Sequence, residues 1–147
     1  MVRVLKGRML VAGQASGRAL VTREPISFWG GYCPRTGEII DRRHELSGTM
    51  AAGRVFVFPR GRGSSTASAI LLESIKNGVA PAALINLDVE PILALGSIVS
   101  DELYQRPIPM VVLDEPDFLS IEQDDDIRID PDGTVTVRSN SSGPTNQ

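Results

Sequence analysis

The segment Pro59–Ser68, PRGRGSSTAS, has the residue types of an anion-binding turn. It lies between an apolar run, Val55–Phe58, and a helical pattern that begins at Ser65. A strand, a glycine-rich turn and a helix start, in that order, bring backbone N–H groups together around an anion. Gly61 and Gly63 allow the close backbone approach that such a turn needs. The segment is therefore predicted to hold a carboxylate or a phosphate.

The side chains of the same turn add positive charge and hydroxyl groups. Arg60 and Arg62 alternate with the glycines, and Ser64 and Ser65 follow at the mouth of the helix. The pattern is neither a Walker phosphate loop nor a G-x-S-x-G nucleophile elbow. An ordinary serine N-cap preceded by glycines is the alternative interpretation. If the turn does bind an anion, the residues expected around it are Arg62, Gly63, Ser65 and Thr66, with the oxygen of Ser64 beside them.

Composition limits the classes of function that this chain can have. Its 147 residues fit one domain, and a net charge of −3 argues against a nucleic-acid-binding surface. No apolar run approaches the roughly 20 residues of a membrane span, and no signal-peptide layout is present, so we expect a cytoplasmic protein. The lone Cys33 cannot by itself hold a metal or an iron–sulfur cluster. With His44 as the single histidine, catalysis is expected to depend on a partner chain, and no metal site is predicted here.

Residues 23–53 lack periodicity and are dense in glycine, proline and charge, which is typical of a functional segment. Phe28 and Trp29 either wall a substrate pocket or anchor the segment in the core, and two glycines follow them. The cluster Asp41–His44 is either an interface or carboxylate clamp, or a solvated loop. The candidates for a pocket or interface are therefore Phe28, Trp29, Gly30, Gly31, Arg42 and His44.

The remaining elements follow from periodicity. Residues 2–22 predict two or three short strands with turns near Gly13 and Gly17, and a further short strand is expected at 38–41. The second half predicts strand, helix, strand, helix, strand, which implies parallel strands joined by right-handed crossovers. These five elements are expected at Arg54–Phe58, Ser65–Asn77, Ala82–Asn86, Glu90–Leu103 and Pro109–Leu113.

Apolar spacing predicts which face of each helix is buried. We interpret Glu90 and Pro91 as residues that favour the first turn of a helix, where proline and acidic side chains are stabilising. A hairpin is predicted at 127–137 around the turn 130–133, and a polar, disordered tail over 139–147 follows the single domain, 1–138. The fold class is α/β, with a β-rich N-terminal half before a βαβαβ unit. The residues expected to face inward are Ala67, Ile70, Leu71 and Ile75 in the first helix, and Ile92, Leu95, Ile98 and Val99 in the second.

Several stretches together resemble one family. They are EPISFWGGYCPRTGEIIDRRHEL, AGRVFVFPRGRGSSTASAILLESIKNG, APAAL and EPILALGSIV, and they match in order and spacing from about Gly17 to Val112. They resemble the small, swivelling subunit of aconitase X enzymes. More remotely, they are similar to the swivelling fourth domain of aconitase and isopropylmalate isomerase, where a Gly-Ser-Ser loop carries the serine base.

The resemblance implies a swivelling β/β/α domain that forms the small subunit of a heterodimeric enzyme. That enzyme would be a lyase of the hydro-lyase (dehydratase) class, acting on a small carboxylate substrate. A large aconitase X subunit would hold an iron–sulfur cluster through its own cysteines. The match to the Gly-Ser-Ser pattern implies that Ser64 is the base and Ser65 its helper. Which of the two serines is the base stays open.

Three functions remain open at this point. The acidic, moderately charged composition favours cis-3-hydroxy-L-proline as the substrate, as in bacterial members of the family. Mevalonate 5-phosphate, the substrate of archaeal members, is the alternative. A non-catalytic swivel or anion-binding module for a partner chain is the second alternative.

Overall fold

The computed structural model describes residues 1–62 and 66–139 as a mixed α/β fold. Its elements, in chain order, are β1 (Val2–Lys6), β2 (Arg8–Val11), β3 (Ala15–Val21), β4 (Val55–Val57), α1 (Ala67–Lys76), β5 (Ala83–Asn86), α2 (Pro91–Tyr104), β6 (Met110–Val112), α3 (Glu115–Ser120), β7 (Asp126–Ile129) and β8 (Thr134–Arg138).

The described strands form one eight-stranded sheet in the order β1-β8-β7-β3-β4-β5-β6-β2. Strands β3, β4, β5 and β6 are parallel neighbours, and α1 and α2 are the crossovers from β4 to β5 and from β5 to β6. The predicted βαβαβ unit and the predicted hairpin, β7 with β8, are confirmed. Because the carboxyl ends of the parallel strands share one edge, the loops after β4 and β5 meet there.

The sheet curls until it is nearly closed. Strands β1 and β2 are separated only by Gly7, yet they lie at opposite ends of the strand order. Gly7 donates its N–H to the Gly133 carbonyl at 2.9 Å. A Cβ at Gly7 would stand 2.3 Å from Val111 Cγ2, so only glycine fits where the two ends approach each other.

Alternation along β4 divides the buried residues into two clusters. Val55 and Val57 point into the curled sheet, and Phe56 and Phe58 point to the face that the irregular segment and the two long helices cover. In α1, Ala67, Leu71 and Ile75 are buried and Ile70 is half-buried, which confirms the predicted stripe.

The predicted face of α2 is wrong for two residues. Leu95 and Ile98 are 55% and 49% exposed. A Cβ at Gly96 would lie 2.7 Å from the Ser68 carbonyl oxygen of α1, so the contact between the helices requires small residues. Two buried serines of α2 satisfy their hydroxyl groups locally: Ser97 donates to the Ile108 carbonyl and Ser100 to the Arg106 carbonyl. The buried residues of α2 are Leu93, Ala94, Gly96, Ser97 and Ser100.

Two local predictions also fail, and one element was not predicted. The chain does not turn at Gly17, since β3 runs through it; a Cβ there would stand 2.9 Å from the Gly53 carbonyl oxygen. The expected strand at 38–41 is replaced by isolated bridges, Tyr32 with Ile39 and Glu38 with Met50. The short helix α3 was not expected.

Of the predicted tail, 139–147, the structure describes only Ser139. Ser139 donates its N–H to the Met1 carbonyl at 3.1 Å, and residues 140–147 lie outside the described part. Within residues 1–62 and 66–139, no helix combines the length and the apolarity that crossing a membrane requires.

Candidate functional site

The first half of the anion-binding segment is held against the chain that leaves β3. Gly61 forms a parallel bridge with Ile26. Ile26 donates its N–H to the Arg60 carbonyl at 3.2 Å, and Arg62 donates its N–H to the Ile26 carbonyl at 3.0 Å. The backbone up to Arg62 is therefore fixed at the carboxyl edge of the parallel strands, where α/β sheets bind ligands.

The loop that follows β5 holds the same segment from the other side. Leu87 and Asp88 both donate their N–H groups to the Pro59 carbonyl, at 3.0 and 3.2 Å. Arg60 Nε donates to Asp88 Oδ2 at 2.6 Å, in an ion pair whose side chains are about half-exposed. The loops after β4 and β5 are thus joined by both backbone and side-chain contacts.

Glu90 occupies the N-cap position of α2, but its side chain makes no capping hydrogen bond there. Its carboxylate instead lies against Gly61, where a Cβ would stand 2.7 Å from Glu90 Oε1. Burial raises the pKa of Glu90, and the charge of Asp88 adds to the rise; the Gly61 N–H and the charge of Arg60 act in the opposite direction. A partly desolvated carboxylate therefore stands beside the predicted anion-binding turn.

Two cavities open next to this edge. A small pocket of about 20 Å³ has an apolar floor with one carboxylate and one guanidinium at its side. A wider cleft of about 670 Å³ lies on the side of Arg60 and Asp88, and Lys6, Arg8 and Asp114 also line it. The small pocket is lined by Ile26, Phe28, Gly61, Arg62, Ala67 and Glu90, among others.

The structure describes only part of the predicted anion-binding set. Gly63, Ser64 and Ser65 lie outside the described residues. Arg62 is exposed, and within residues 1–62 and 66–139 no carboxylate forms an ion pair with it. Thr66 takes the N-cap position of α1, with a φ of −76° and a ψ of −9°.

The aromatic candidates have different environments. Phe28 is buried, stacks on Tyr32 with ring centroids 4.9 Å apart, and also lines the small pocket, so it anchors the segment and forms part of the pocket floor. Trp29 is 59% exposed. Gly30 has a φ of +79°, and Gly31 is buried where a Cβ would stand 2.2 Å from the Ser27 carbonyl oxygen.

The polar candidates also differ in their exposure to solvent. Arg42 is exposed, whereas the His44 side chain is only 3% exposed. His44 Nδ1 accepts from the Leu46 N–H at 3.0 Å. Its Nε2 lies 3.7 Å from Glu24 Oε1 and, among the described residues, has no hydrogen-bond partner. This geometry suits an anchor for the turn rather than a group that contacts a ligand directly.

Sequence reasoning missed the roles of Asp88 and Glu90 in this edge. The sequence indicates Glu90 only as a residue of the first turn of a helix, and it does not single out Asp88. The available signal was their position: both follow a buried parallel strand, directly beside the glycine-rich loop of the neighbouring strand. Charged residues in loops at that edge are candidates for contacts with the loop or with its ligand.

With this geometry in place, comparison with known proteins decides the family. The family model described as "Aconitase X swivel domain" matches residues 4–137. The chain belongs to the aconitase X swivel-domain family. The predicted resemblance and the swivelling fold are therefore confirmed.

Two kinds of curated relative match this swivel domain. A cis-3-hydroxy-L-proline dehydratase of Pseudomonas aeruginosa is 51% identical over 108 residues, which are 74% of this chain and 19% of that protein. A phosphomevalonate dehydratase small subunit of Methanosarcina acetivorans is 40% identical over 126 residues, which are 85% of this chain and 83% of that protein. The chain thus matches about a fifth of the first relative and most of the second.

A solved structure shares the same fold. The crystal structure of Thermococcus kodakaraensis aconitase X, in its holo-form, superposes with a TM-score of 0.83 at 38% identity. The match covers 93% of this chain and 99% of that one.

The described residues of this swivel domain do not fit the iron–sulfur cluster that the family resemblance implies. Across residues 1–62 and 66–139, no three His, Cys, Asp or Glu side chains come together as metal ligands. Cys33, the one cysteine of the chain, is half-buried in the irregular segment. The described residues of this chain therefore provide no set of ligands for an iron–sulfur cluster.

Proposed function

We propose that this chain is the swivel subunit of a hydro-lyase, that a larger chain completes the enzyme, and that Ser64 removes the proton from the substrate. The observation that supports the proposal most is the placement of the Pro59–Arg62 backbone. It lies at the carboxyl edge of the parallel strands, in a chain that the swivel-domain model matches over residues 4–137. Ser64 follows two residues after Arg62 in the sequence.

The proposed chemistry is removal of water from a β-hydroxy acid. Ser64 takes the proton α to the carboxylate, the C–H electron pair becomes the new C=C bond, and the β-hydroxyl group leaves. A serine is a poor base at its ordinary pKa, so its alkoxide needs backbone N–H donors, a helix N-terminus and nearby cations. In the sequence, Arg62 precedes the two serines and α1 begins after them at Ala67, which offers a cation and a helix N-terminus for this purpose. The larger chain would supply the chemistry for the leaving hydroxyl.

For the substrate, we favour cis-3-hydroxy-L-proline. The 51% identity with the Pseudomonas aeruginosa dehydratase supports this choice. Mevalonate 5-phosphate is the alternative, because the phosphomevalonate dehydratase small subunits share 40–44% identity and have most of their length in common with this chain. Each substrate carries a carboxylate, which the exposed guanidinium of Arg62 is suited to bind.

We propose that the larger chain packs on the exposed part of the irregular segment. Trp29 is exposed, and Ile40, also exposed, is tied to the same turn because its N–H donates to the Gly31 carbonyl at 2.9 Å. Arg42 follows closely and adds a charge. Aromatic and arginine side chains are enriched at protein interfaces, and exposed apolar patches mark contact surfaces.

The test is reconstitution. The 147-residue chain is assayed alone and together with a larger, cysteine-bearing aconitase X chain from the same source, with cis-3-hydroxy-L-proline and mevalonate 5-phosphate in separate reactions. We expect no turnover by the chain alone and dehydration of hydroxyproline by the complex. Hydrogen exchange on the same complex should show protection at residues 27–32 and 41–44.

Three results of this test would contradict the proposal at different levels. Turnover without the larger chain would remove the need for a partner. Dehydration of mevalonate 5-phosphate alone would replace the substrate. A complex that forms but dehydrates neither substrate would favour the second candidate function, a non-catalytic swivel or anion-binding module.

A further inference from the structure

Helix α2 has a second apolar face, which its packing within this chain leaves exposed. The face is formed by Ile92, Leu95, Ile98, Val99 and Leu103, and we call it the outer face of α2. Leu95, Ile98 and Leu103 are exposed, and the other two are half-buried. Spacings of three and four residues place these side chains on one side of the helix. The opposite side of α2 is already buried, and a helix that is apolar all round is normally buried all round. We therefore expect another chain to cover the outer face.

The charges of α2 indicate the chemistry of that chain. The helix contains Asp101 and Glu102 but no lysine or arginine, and Glu90 precedes its first residue. Among the residues that the structure describes, none of these three carboxylates forms an ion pair. Arg106, the next cation along the chain, lies over the Tyr104 ring, 6.0 Å from its centroid. Acidic side chains in the last turn of a helix are also unfavourable, because the helix dipole is negative there. Basic residues from another chain would relieve both effects.

A second copy of this chain does not fit these charges. In a two-fold dimer each face meets a copy of itself. If two α2 helices packed in parallel, Asp101 and Glu102 would meet the same pair; if they packed antiparallel, the pair would approach Glu90. Like charges oppose contact in both arrangements. The charges therefore favour a different chain, with basic residues beside its apolar ones.

The outer face of α2 begins beside the candidate site. Ile92, its first residue, lines the small pocket together with Phe28, and Phe28 directly precedes the exposed Trp29. The pocket thus lies between the irregular segment and the start of the outer face. One large partner that reached both surfaces would cover the pocket from two sides.

We propose that the outer face of α2 is a docking surface for the larger chain, which covers it with an amphipathic segment whose apolar side chains are flanked by lysine or arginine. This inference rests on the proposed function, because the occupant is the larger chain of that enzyme. Burial of the apolar side chains supplies the main driving force. The cations pair with Asp101 and Glu102 at the C-terminal end of the helix.

The experiment measures the Kd between the 147-residue chain and the larger, cysteine-bearing aconitase X chain by titration calorimetry. Leu95→Glu is compared with Leu119→Glu, the same change at an exposed leucine of α3. We expect Leu95→Glu to raise Kd at least about 30-fold, as for a central interface residue. Leu119→Glu should stay within about 3-fold of wild type, because it lies outside the contact. Leu95→Ala adds no charge and should raise Kd about 5-fold or more, which keeps the test decisive if Leu95→Glu does not fold.

A second measurement tests the basic character of the occupant. The double variant Asp101→Asn, Glu102→Gln removes two charges with little change in shape, and Glu122→Gln, Asp126→Asn removes two exposed charges outside α2 as the control. At low salt the first double variant should associate about 3–10-fold more slowly than the control, because it lacks the local attraction. Its association rate should also fall less between about 50 mM and about 500 mM NaCl. Faster association than the control would mean that the occupant is acidic, which contradicts the proposal.

The outcomes distinguish this docking surface from the proposed function. A complex that loses affinity through Leu95→Glu but dehydrates neither substrate supports the surface and contradicts the catalysis. Wild-type affinity in both Leu95 variants overturns the surface and leaves the catalysis standing. If the isolated chain sediments as a dimer that Leu95→Glu dissociates, the occupant is a second copy and the proposal is wrong. If the wild-type chain does not bind the larger chain, both proposals fail.

Discussion

The carboxylate of Glu90 makes the free energy of unfolding depend on pH. Burial raises its pKa above the ordinary value of 4.5, so the folded chain binds this proton more tightly than the unfolded chain does. Above the folded-state pKa the charged carboxylate opposes folding by a constant amount. As the pH falls from the folded-state pKa towards the unfolded-state value, the carboxylate is protonated and that cost disappears.

Replacing Glu90 with glutamine should therefore stabilise the chain at pH 7 and have a smaller effect at pH 4. The measurement is urea unfolding of wild type and Glu90→Gln at both pH values, since the other titrating groups are common to both proteins. A variant that is less stable than wild type at pH 7 would contradict a net cost of burying the charged carboxylate.

At the scale of residues, the sequence indicates which residue types form the candidate site but not the distances between them. The alternation of Arg60 to Arg62 with glycine, at the end of an apolar strand, is visible in the sequence, and the backbone of that segment lies at the expected edge. The contact between Glu90 and Gly61 is not visible, because it joins residues 29 positions apart through a parallel pairing of β4 with β5. The buried ring of His44 was likewise not expected from a segment without periodicity.

Helix α2 shows how an element can be predicted while its orientation is missed. Its start at Pro91 and its amphipathic composition are visible in the sequence. Its orientation is decided by the contact with α1, where Gly96 is required, rather than by the largest apolar side chains. Leu95 and Ile98 were expected inside because their spacing matches a stripe, but close packing between helices can favour small residues.

This orientation predicts opposite outcomes for two leucines on α2. Leu93→Ala removes a buried side chain and should lower the free energy of unfolding by about 2–5 kcal/mol. Leu95→Ala, two positions further on, changes an exposed side chain and should remain within about 0.5 kcal/mol of wild type. Denaturant unfolding of both variants measures the difference. Equal losses would mean that Leu95 is buried and that α2 is rotated relative to this description.

At the scale of the whole molecule, the near-closure of the sheet is the feature that local patterns predict least. The parallel core follows from alternating strands and helices, but the placement of β1 and β2 at opposite ends depends on Gly7 and on contacts with residues more than 100 positions away. Long-range pairing of this kind has no local signature. The family resemblance, carried by the order and spacing of whole segments, supplied the fold where periodicity could not.

The molecule as a whole is consistent with the proposal that this chain, which has one histidine and one cysteine, works within a larger complex. The curled sheet provides a rigid frame, and the loops after β4 and β5 meet at one of its edges. Exposed Trp29 and Ile40 leave an apolar surface on the irregular segment available to a larger chain. In this account the swivel domain contributes one loop, and the rest of the active site comes from the partner.

The central claim is that Ser64 acts as the base, and the most direct test is the rate of dehydration by reconstituted complexes that carry Ser64→Ala or Ser65→Ala. Ser64→Ala should lower kcat about 10²–10⁴-fold, as expected for loss of a general base. Assembly and folding should be unaffected, because removing a hydroxyl near a helix start costs about 1 kcal/mol. Ser65→Ala should cost less. A complex in which Ser65→Ala alone abolishes turnover would move the base to that residue, and wild-type rates in both variants would contradict the catalytic role of this loop.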